Sequence, residues 1–235
     1  RRREYTKASP FLVLLGTGSH QITSSWTNPD GYNRQTMLDI TCSNITFIGQ
    51  GIGVTTILGG FGIDNKQNIT FQQLTLTNTN GSGIIMYSAE VELVDVSITR
   101  CDGNGIYAGN TNGGKIISGK IASPSQLVAT RCEMSNNGQS GLYIHNTHTK
   151  ISHNVCLKNC ISHHNGRYGI SVWGKGVIDV HGDATKIHSN HAWGIIATDF
   201  GKVLIHLPSL HNTSYNNEDG DRAVFNRATI TNVVD

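Results

Sequence analysis

The chain has 235 residues and a formal charge of +2, with 14% of its residues charged, 27 glycines and only 4 prolines. A charged share well under the usual quarter, in a chain with abundant glycine and scarce proline, excludes both disordered and collagen-like chains. Lysine and arginine are scattered without a basic stripe and no apolar run reaches spanning length, so neither nucleic acid nor membrane is an expected partner.

Residues 1–10 are expected to form an N-terminal tail, in which the Arg1 to Arg3 run reads as a solvated end or a cut point. The chain starts without Met and carries no signal peptide, which points to a processed chain or part of a longer one and leaves its compartment open. From residue 11 to 235 a single elongated domain is expected. Pro10 to Ile22 reads as a buried strand, a glycine turn and a second short strand, and Ser24 to Arg34, with its Asn28-Pro-Asp-Gly31 cluster, as a loop. Asn44-Ile-Thr-Phe47 then recurs as Asn68-Ile-Thr-Phe71, and Glu90 to Leu93 takes the same place one period later. The glycine-rich run Gly49 to Gly60 does not fit a nucleotide loop, because β-branched residues and more glycine follow it where a helix would have to start.

A second column of strands opens on Gly83, Gly105, Gly141, Gly169 and Gly194, at a period in the twenties that only the gap from Gly105 to Gly141 exceeds. Its phrase is clearest in Asn137 to Ile144, Asn165 to Val172 and Asn190 to Ala197, where Asn stands four residues before a glycine that starts a short apolar strand. The long gap is absorbed by an inserted loop near residues 110–125, the kind of excursion that often carries function in a solenoid. After Leu204 the phrase fades; Asn212 to Asp221 reads as a polar loop and Ala228 to Val234 as a terminal strand.

No segment longer than a turn has helical periodicity, whereas alternation over four to six residues recurs throughout. Strands that return at so short a period leave too little chain for helical crossovers, so each must stack on its equivalent one coil earlier, giving parallel sheets wound in a helix. Ile84, Ile106, Leu142, Ile170 and Ile195 then point inward, with Met86, Ala108, Ile144, Val172 and Ala197 two residues on. The strand-opening glycines would permit a positive φ or a tight corner. Asn137, Asn165 and Asn190 align as a hydrogen-bonded ladder at one turn, suited to left-handed backbone. The 5 cysteines suit buried thiols rather than a disulfide framework, with Cys132 and Cys160 stacked in the core.

Alternation sends Tyr107, Tyr143, His145, Tyr168, Trp173 and Trp193 outward on one face, beside Ser140, Ser171, Thr198 and Asp199. Flat rings on a solvent-facing sheet among polar neighbours suit stacking on sugar rings, and these six are the ligand-binding candidates. Covering loops or cross-strand ring pairs are the plainer alternative. The histidine pairs His145 with His148, His163 with His164 and His188 with His191 lack the local spacing of a zinc motif, so no metal or other cofactor is expected; His163 and His188 should instead stack in adjacent coils. Acidic candidates are Asp199, Asp179 with Asp183, and Glu218 to Asp221. The sequons at Asn44, Asn68 and Asn212 need no secretion to explain them, since the first two coincide with a repeated strand opening.

With these repeats in view, the sequence resembles the right-handed parallel β-helix superfamily typified by pectate lyases, from about Phe11 to Leu207. The resemblance implies an all-β, single-stranded, right-handed parallel β-helix of roughly eight coils. It implies no particular chemistry: the RxPxxR segment of pectate lyases and the NTD, DD, GHG and RIK motifs of polygalacturonase-like hydrolases are missing. Tyr168-Gly-Ile-Ser171 resembles the start of an alginate-epimerase motif but lacks its Asp-Pro-His. The expected function is a non-catalytic structural or binding module for a polysaccharide or protein surface, alone or within a larger assembly. The alternative is a polysaccharide-acting lyase, hydrolase or epimerase, for which Asp199 and Arg167 are the catalytic candidates.

Overall fold

The computed structural model describes residues 4–109, 124–146, 152–208 and 211–233. Arg1 to Arg3, His148 and nearly all of the expected inserted loop near 110–125 lie outside the described residues. Described secondary structure consists of strands, and these wind into a parallel β-helix with three faces and about seven turns. The first face stacks Phe11–Leu14, Ile45–Ile48, the starts of Ile69–Thr77 and Glu90–Thr99, then Gln126–Thr130, His153–Lys158, Gly176–His181, Lys202–His206 and Thr229–Asn232. The second stacks Gly18–Gln21, Thr55–Leu58, the ends of the same two long strands, Glu133–Ser135, Ile161–His163, Lys186–His188 and Ser214–Tyr215. The third is an eight-stranded sheet: Met37–Asp39, Gly60–Asp64, Ile84–Tyr87, Ile106–Gly109, Leu142–Asn146, Ile170–Gly174, Trp193–Thr198 and Gly220–Val224.

The coil is closed by single residues in left-handed backbone. Gln73, Asp95, Arg131 and Asn159 turn the first face into the second, with φ between 52° and 54°. Arg100, Asn136, His164, Ser189 and Asn216 turn the second into the third. Left-handed backbone costs about 1–2 kcal/mol for a residue with a Cβ, so each corner must be over-determined by the hydrogen bonds around it.

The predicted register holds. Ile84, Ile106, Leu142, Ile170 and Ile195 are partners in successive coils and each is 0% exposed. Met86, Ala108, Ile144, Val172 and Ala197 follow the same register and are equally buried. Each fully buried Ile or Leu of this stack contributes about 1.5–3 kcal/mol. At the N-terminal end the core is aromatic: Phe47, Phe61 and Phe71 pack with ring centroids 4.7–5.2 Å apart.

The asparagine ladder is built as expected and is one rung longer. Asn137, Asn165 and Asn190 are buried, and each side-chain amide donates to the Oδ1 of the next coil's asparagine at 2.9–3.0 Å, the last to Asn217. The backbone N–H groups of Asn137, Asn165 and Asn190 donate to the same oxygens, and the Cys101 N–H donates to Asn137 Oδ1. Left-handed backbone falls one residue earlier than expected, on Asn136, His164 and Ser189. The strand-opening glycines also work differently from the expectation: Gly141 and Gly169 are not among the positive-φ residues. A Cβ on Gly141 would run into the Ser162 hydroxyl and the Gly169 carbonyl, so close approach between coils is what requires glycine there.

Three further differences follow from tertiary context. The Phe11–Leu14 strand pairs on one edge only, so Phe11, Leu12 and Leu14 are exposed rather than buried. The loop at 24–34 contains an antiparallel hairpin, Ser25–Thr27 with Asn33–Gln35. Residues 212–221 are part of one more coil, in which Asp221 stands where earlier coils have glycine. All 5 cysteines are free thiols. Cys101, Cys132 and Cys160 are buried in the core, and burial pushes the Cys101 thiol up to about 12.

Candidate functional site

The outward side of the third face carries the rings that the core cannot use. Ile85, Tyr107, Tyr143 and Ser171 occupy one outward column of successive coils, and Tyr87, Gly109, His145 and Trp173 the next. Their spacing is set by the coil: Tyr87 lies 5.9 Å from Tyr107, Tyr107 5.6 Å from Tyr143, and Tyr143 stacks on His145 at 5.9 Å and 11°. Gly109 opens the room this needs, since a Cβ there would strike the Tyr107 ring.

The hairpin inserted in the first coil, between Gly18–Gln21 and Met37–Asp39, covers the N-terminal end of this face. Trp26 is buried over Gly62, whose missing Cβ makes room for the indole, and sits 6.1 Å from the Tyr87 ring. Asn28 Nδ2 donates to the Tyr87 hydroxyl at 3.3 Å, tying the hairpin to the sheet. Among the described residues, the plainer reading of a covering loop therefore holds for Tyr87 and Ile85, and Tyr107 packs half-buried against the same cluster.

Beyond the hairpin the face opens into two adjoining depressions. One, of about 360 Å³, is lined by Asp30, Tyr32 and Arg34 of the hairpin and by Asn104, Tyr107, Gln139 and Tyr143 among others. The next, of about 210 Å³, shares Asn104, Gln139 and Tyr143 and adds Arg167, Tyr168 and Trp173. They form a groove along the helix axis with rings on its floor and wall, amides midway and a guanidinium on each side. Asn104 Nδ2 donates to Gln139 Oε1 at 3.2 Å, and the Arg167 guanidinium lies 5.1 Å from the centre of the Tyr168 ring.

Of the six expected ligand residues, Tyr107, Tyr143, Tyr168 and Trp173 line this groove. His145 stands behind it, stacked on Tyr143 and 3.4 Å from the Tyr107 hydroxyl through Nδ1. Trp193 is not among the lining residues; its ring lies over Gly220 of the following coil. Arg167 lines the groove, but Asp199 does not: it follows the strand Trp193–Thr198 and is held by Asn226 Nδ2 at 3.0 Å. Ala192, whose N–H donates to the Arg167 carbonyl, is separated from Asp199 by the length of that extended strand, or about 20 Å. The two catalytic candidates thus stand at opposite ends of the same face.

Sequence reasoning missed the hairpin residues Asp30, Tyr32 and Arg34, and the amides Asn104 and Gln139. Tyr87 was findable, since it stands four residues after its strand-opening glycine as His145 and Trp173 do. The hairpin residues belong to no repeat, and only the fold brings them over the sheet.

Burial pushes the Tyr107 and Tyr143 phenols above their ordinary range, and proximity to Tyr87 and Tyr143 adds to the effect at Tyr107. Burial lowers His145 from its ordinary value. At neutral pH these two phenols and this imidazole are therefore neutral, so Tyr107, Tyr143 and His145 offer stacking and hydrogen bonding between the guanidinium groups of Arg34 and Arg167. A depression of similar size, about 380 Å³, lies on the first face among Thr46, Thr70, Glu90 and Glu92. It has no ring in its lining and Lys7 pairs with Glu90 at 3.5 Å across it, so the aromatic groove is the stronger candidate.

The histidine turns are stacked as expected. His163 and His188 lie 5.1 Å apart at 7°, and Tyr215 continues the stack at 5.0 Å. His163 Nε2 also meets Glu133 Oε1 at 3.1 Å.

Parallel strands stacked coil on coil define a parallel β-helix protein. The chain belongs to the family described as right-handed β-helix region, which its sequence matches over residues 12–184. No curated protein matches it. Among solved structures it is similar to the A-module of mannuronan C-5 epimerase AlgE6 from Azotobacter vinelandii, at 11% identity and TM-score 0.37, over 95% of this chain and 91% of that one. It is also similar to ORF18 of Geobacillus virus E2, at 14% identity and TM-score 0.43, over 94% of this chain and 52% of that one. A third likeness is to PfbA, a surface adhesin of Streptococcus pneumoniae, at 10% identity and TM-score 0.32, over 73% and 59% of the two chains. These likenesses concern the fold alone. No helix among the described residues is long and apolar enough to cross a membrane.

Proposed function

We propose that this protein is a non-catalytic carbohydrate-binding β-helix, and that a polysaccharide chain lies along the groove of the third face. The observation that carries the reading is the run Tyr107, Tyr143, Tyr168 and Trp173 along two adjoining depressions that share Tyr143. The rings are presented by rigid, fully hydrogen-bonded strands, so little side-chain or backbone entropy is lost when a ligand docks. Sugar rings have apolar faces that stack on aromatics and hydroxyls that pair with amides, and Asn104 and Gln139 stand between the rings. Because the rings repeat at coil spacing, the groove suits a ligand that itself repeats.

A panel of acidic and neutral polysaccharides, run by affinity electrophoresis and in parallel for reducing ends and unsaturated products, tests the reading. Retardation without product formation is the expected result. Turnover abolished by Arg167→Ala would replace it with the enzyme reading, and absence of retardation by every glycan would remove the carbohydrate from it.

A further inference from the structure

We propose that Asp179, His181 and His206 form a binding site for a divalent transition-metal ion of the zinc class, on the first face and separate from the aromatic groove. One donor atom from each of these residues lies within 4.8 Å of the other two. His206 Nε2 and Asp179 Oδ1 are already 2.8 Å apart, and the His181 and His206 rings stack at 4.2 Å and 10°. All three are half-buried and project from neighbouring strands, Gly176–His181 and Lys202–His206, whose register places His181 directly beside His206. Asp179 lies two residues before His181 and on the same side of its strand by the alternation of a β-strand.

The donor set decides the class of ion. Two imidazoles and one carboxylate suit zinc, cobalt or nickel, whereas calcium and magnesium take oxygen donors. A tetrahedral ion holding donors at about 2.1 Å sets them about 3.4 Å from one another, so the 2.8 Å contact of His206 with Asp179 must open and the stacked rings must turn until their nitrogens converge on the ion. Three protein donors leave further coordination positions for water or a ligand. Cys156, one coil before Asp179, places a thiol on the same side of the sheet. Local spacing could not reveal the site, because His181 and His206 are a full coil apart in the chain and become neighbours only through the winding.

The test is calorimetric titration of the chelator-treated full chain with zinc chloride, with cobalt(II) absorption as an independent view of the donors. The expected result is one zinc per chain, no response to calcium, and a visible cobalt band. Affinity should fall roughly tenfold or more in His181→Ala, His206→Ala and Asp179→Asn. His163→Ala with His188→Ala should leave it unchanged. Zinc should also raise the unfolding temperature of the wild type and not of Asp179→Asn, a near-isosteric change that guards against loss of fold in the histidine variants. A titration without saturable zinc binding, binding retained in Asp179→Asn and His206→Ala, or binding lost only with His163 and His188 would each overturn the proposal and leave Asp179 and His206 as an ion pair.

Discussion

Replacing Asn165 with Ala removes the middle rung of the asparagine ladder, and the structure allows its cost to be worked out. The Asn165 side chain donates to Asn190 Oδ1 at 2.9 Å and to the Met134 carbonyl at 3.1 Å, and accepts from the Asn137 N–H at 3.2 Å and the Asn137 amide at 3.0 Å. Asn165 is 1% exposed, so water does not reach the groups it leaves behind. At least two buried donors on Asn137 lose their acceptor, at about 1–3 kcal/mol each, which gives roughly 2–6 kcal/mol. A domain has about 5–15 kcal/mol in total, so the variant should be severely destabilised. The comparison is Asn68→Gly, which removes the half-exposed bond from Asn68 to Asn44 while tolerating the φ of 55° there. That change should cost about 1 kcal/mol, because water can replace the lost partner. Urea unfolding of both variants, with amide exchange at Asn137, measures the difference. An Asn165→Ala loss below about 1 kcal/mol, or one no larger than that of Asn68→Gly, would refute the claim that the ladder holds the coils in register.

Ile170→Asp should prevent folding, because it places an unpaired carboxylate in a stack where Ile170 is 0% exposed, and soluble protease-resistant protein would contradict the inward register. Acidification should weaken the fold through His145 and His188, whose affinity for protons burial lowers below the ordinary value of 6.5. The unfolded chain binds the proton more readily, so this contribution is present above about pH 6.5 and is lost as the pH falls from there through the folded values. Unfolding midpoints at pH 7.5 and 5.5 should therefore differ more in the wild type than in the His145→Gln, His188→Gln double variant; an equal or smaller difference in the wild type would contradict it.

How much of this was legible in the sequence follows from what the coil repeats. Positions that recur in every turn were readable: the inward pairs such as Ile170 and Val172, the ladder from Asn137 to Asn190, and the stacking of His163 on His188. Features tied to a single place in the chain were not. The exposure of Phe11 and Leu14 arises because the first strand has one neighbour, a condition set by its place at the end of the stack and not by its composition. The rung Asn217 escaped because the residues that follow break the phrase: Asp221 stands where the coil before has Gly194, and Arg222 where it has the inward Ile195. Trp193 looked equivalent to Tyr168 by register, yet its ring lies over Gly220, a glycine with no counterpart in the phrase. The hairpin that builds one wall of the groove was readable as a loop, while its landing place over Gly62 depended on tertiary packing.

The central claim is that the groove of the third face binds a carbohydrate chain, and calorimetry of an oligosaccharide retained by the wild type tests it most directly. Trp173 is 37% exposed, so Trp173→Ala removes a ring from the groove without opening the core. The account predicts that Trp173→Ala and Tyr143→Ala each weaken binding by about 2 kcal/mol or more, near thirtyfold, while a His163→Ala, His188→Ala variant on the second face binds as the wild type does. Unchanged affinity in both ring variants, or loss confined to the histidine variant, would contradict it.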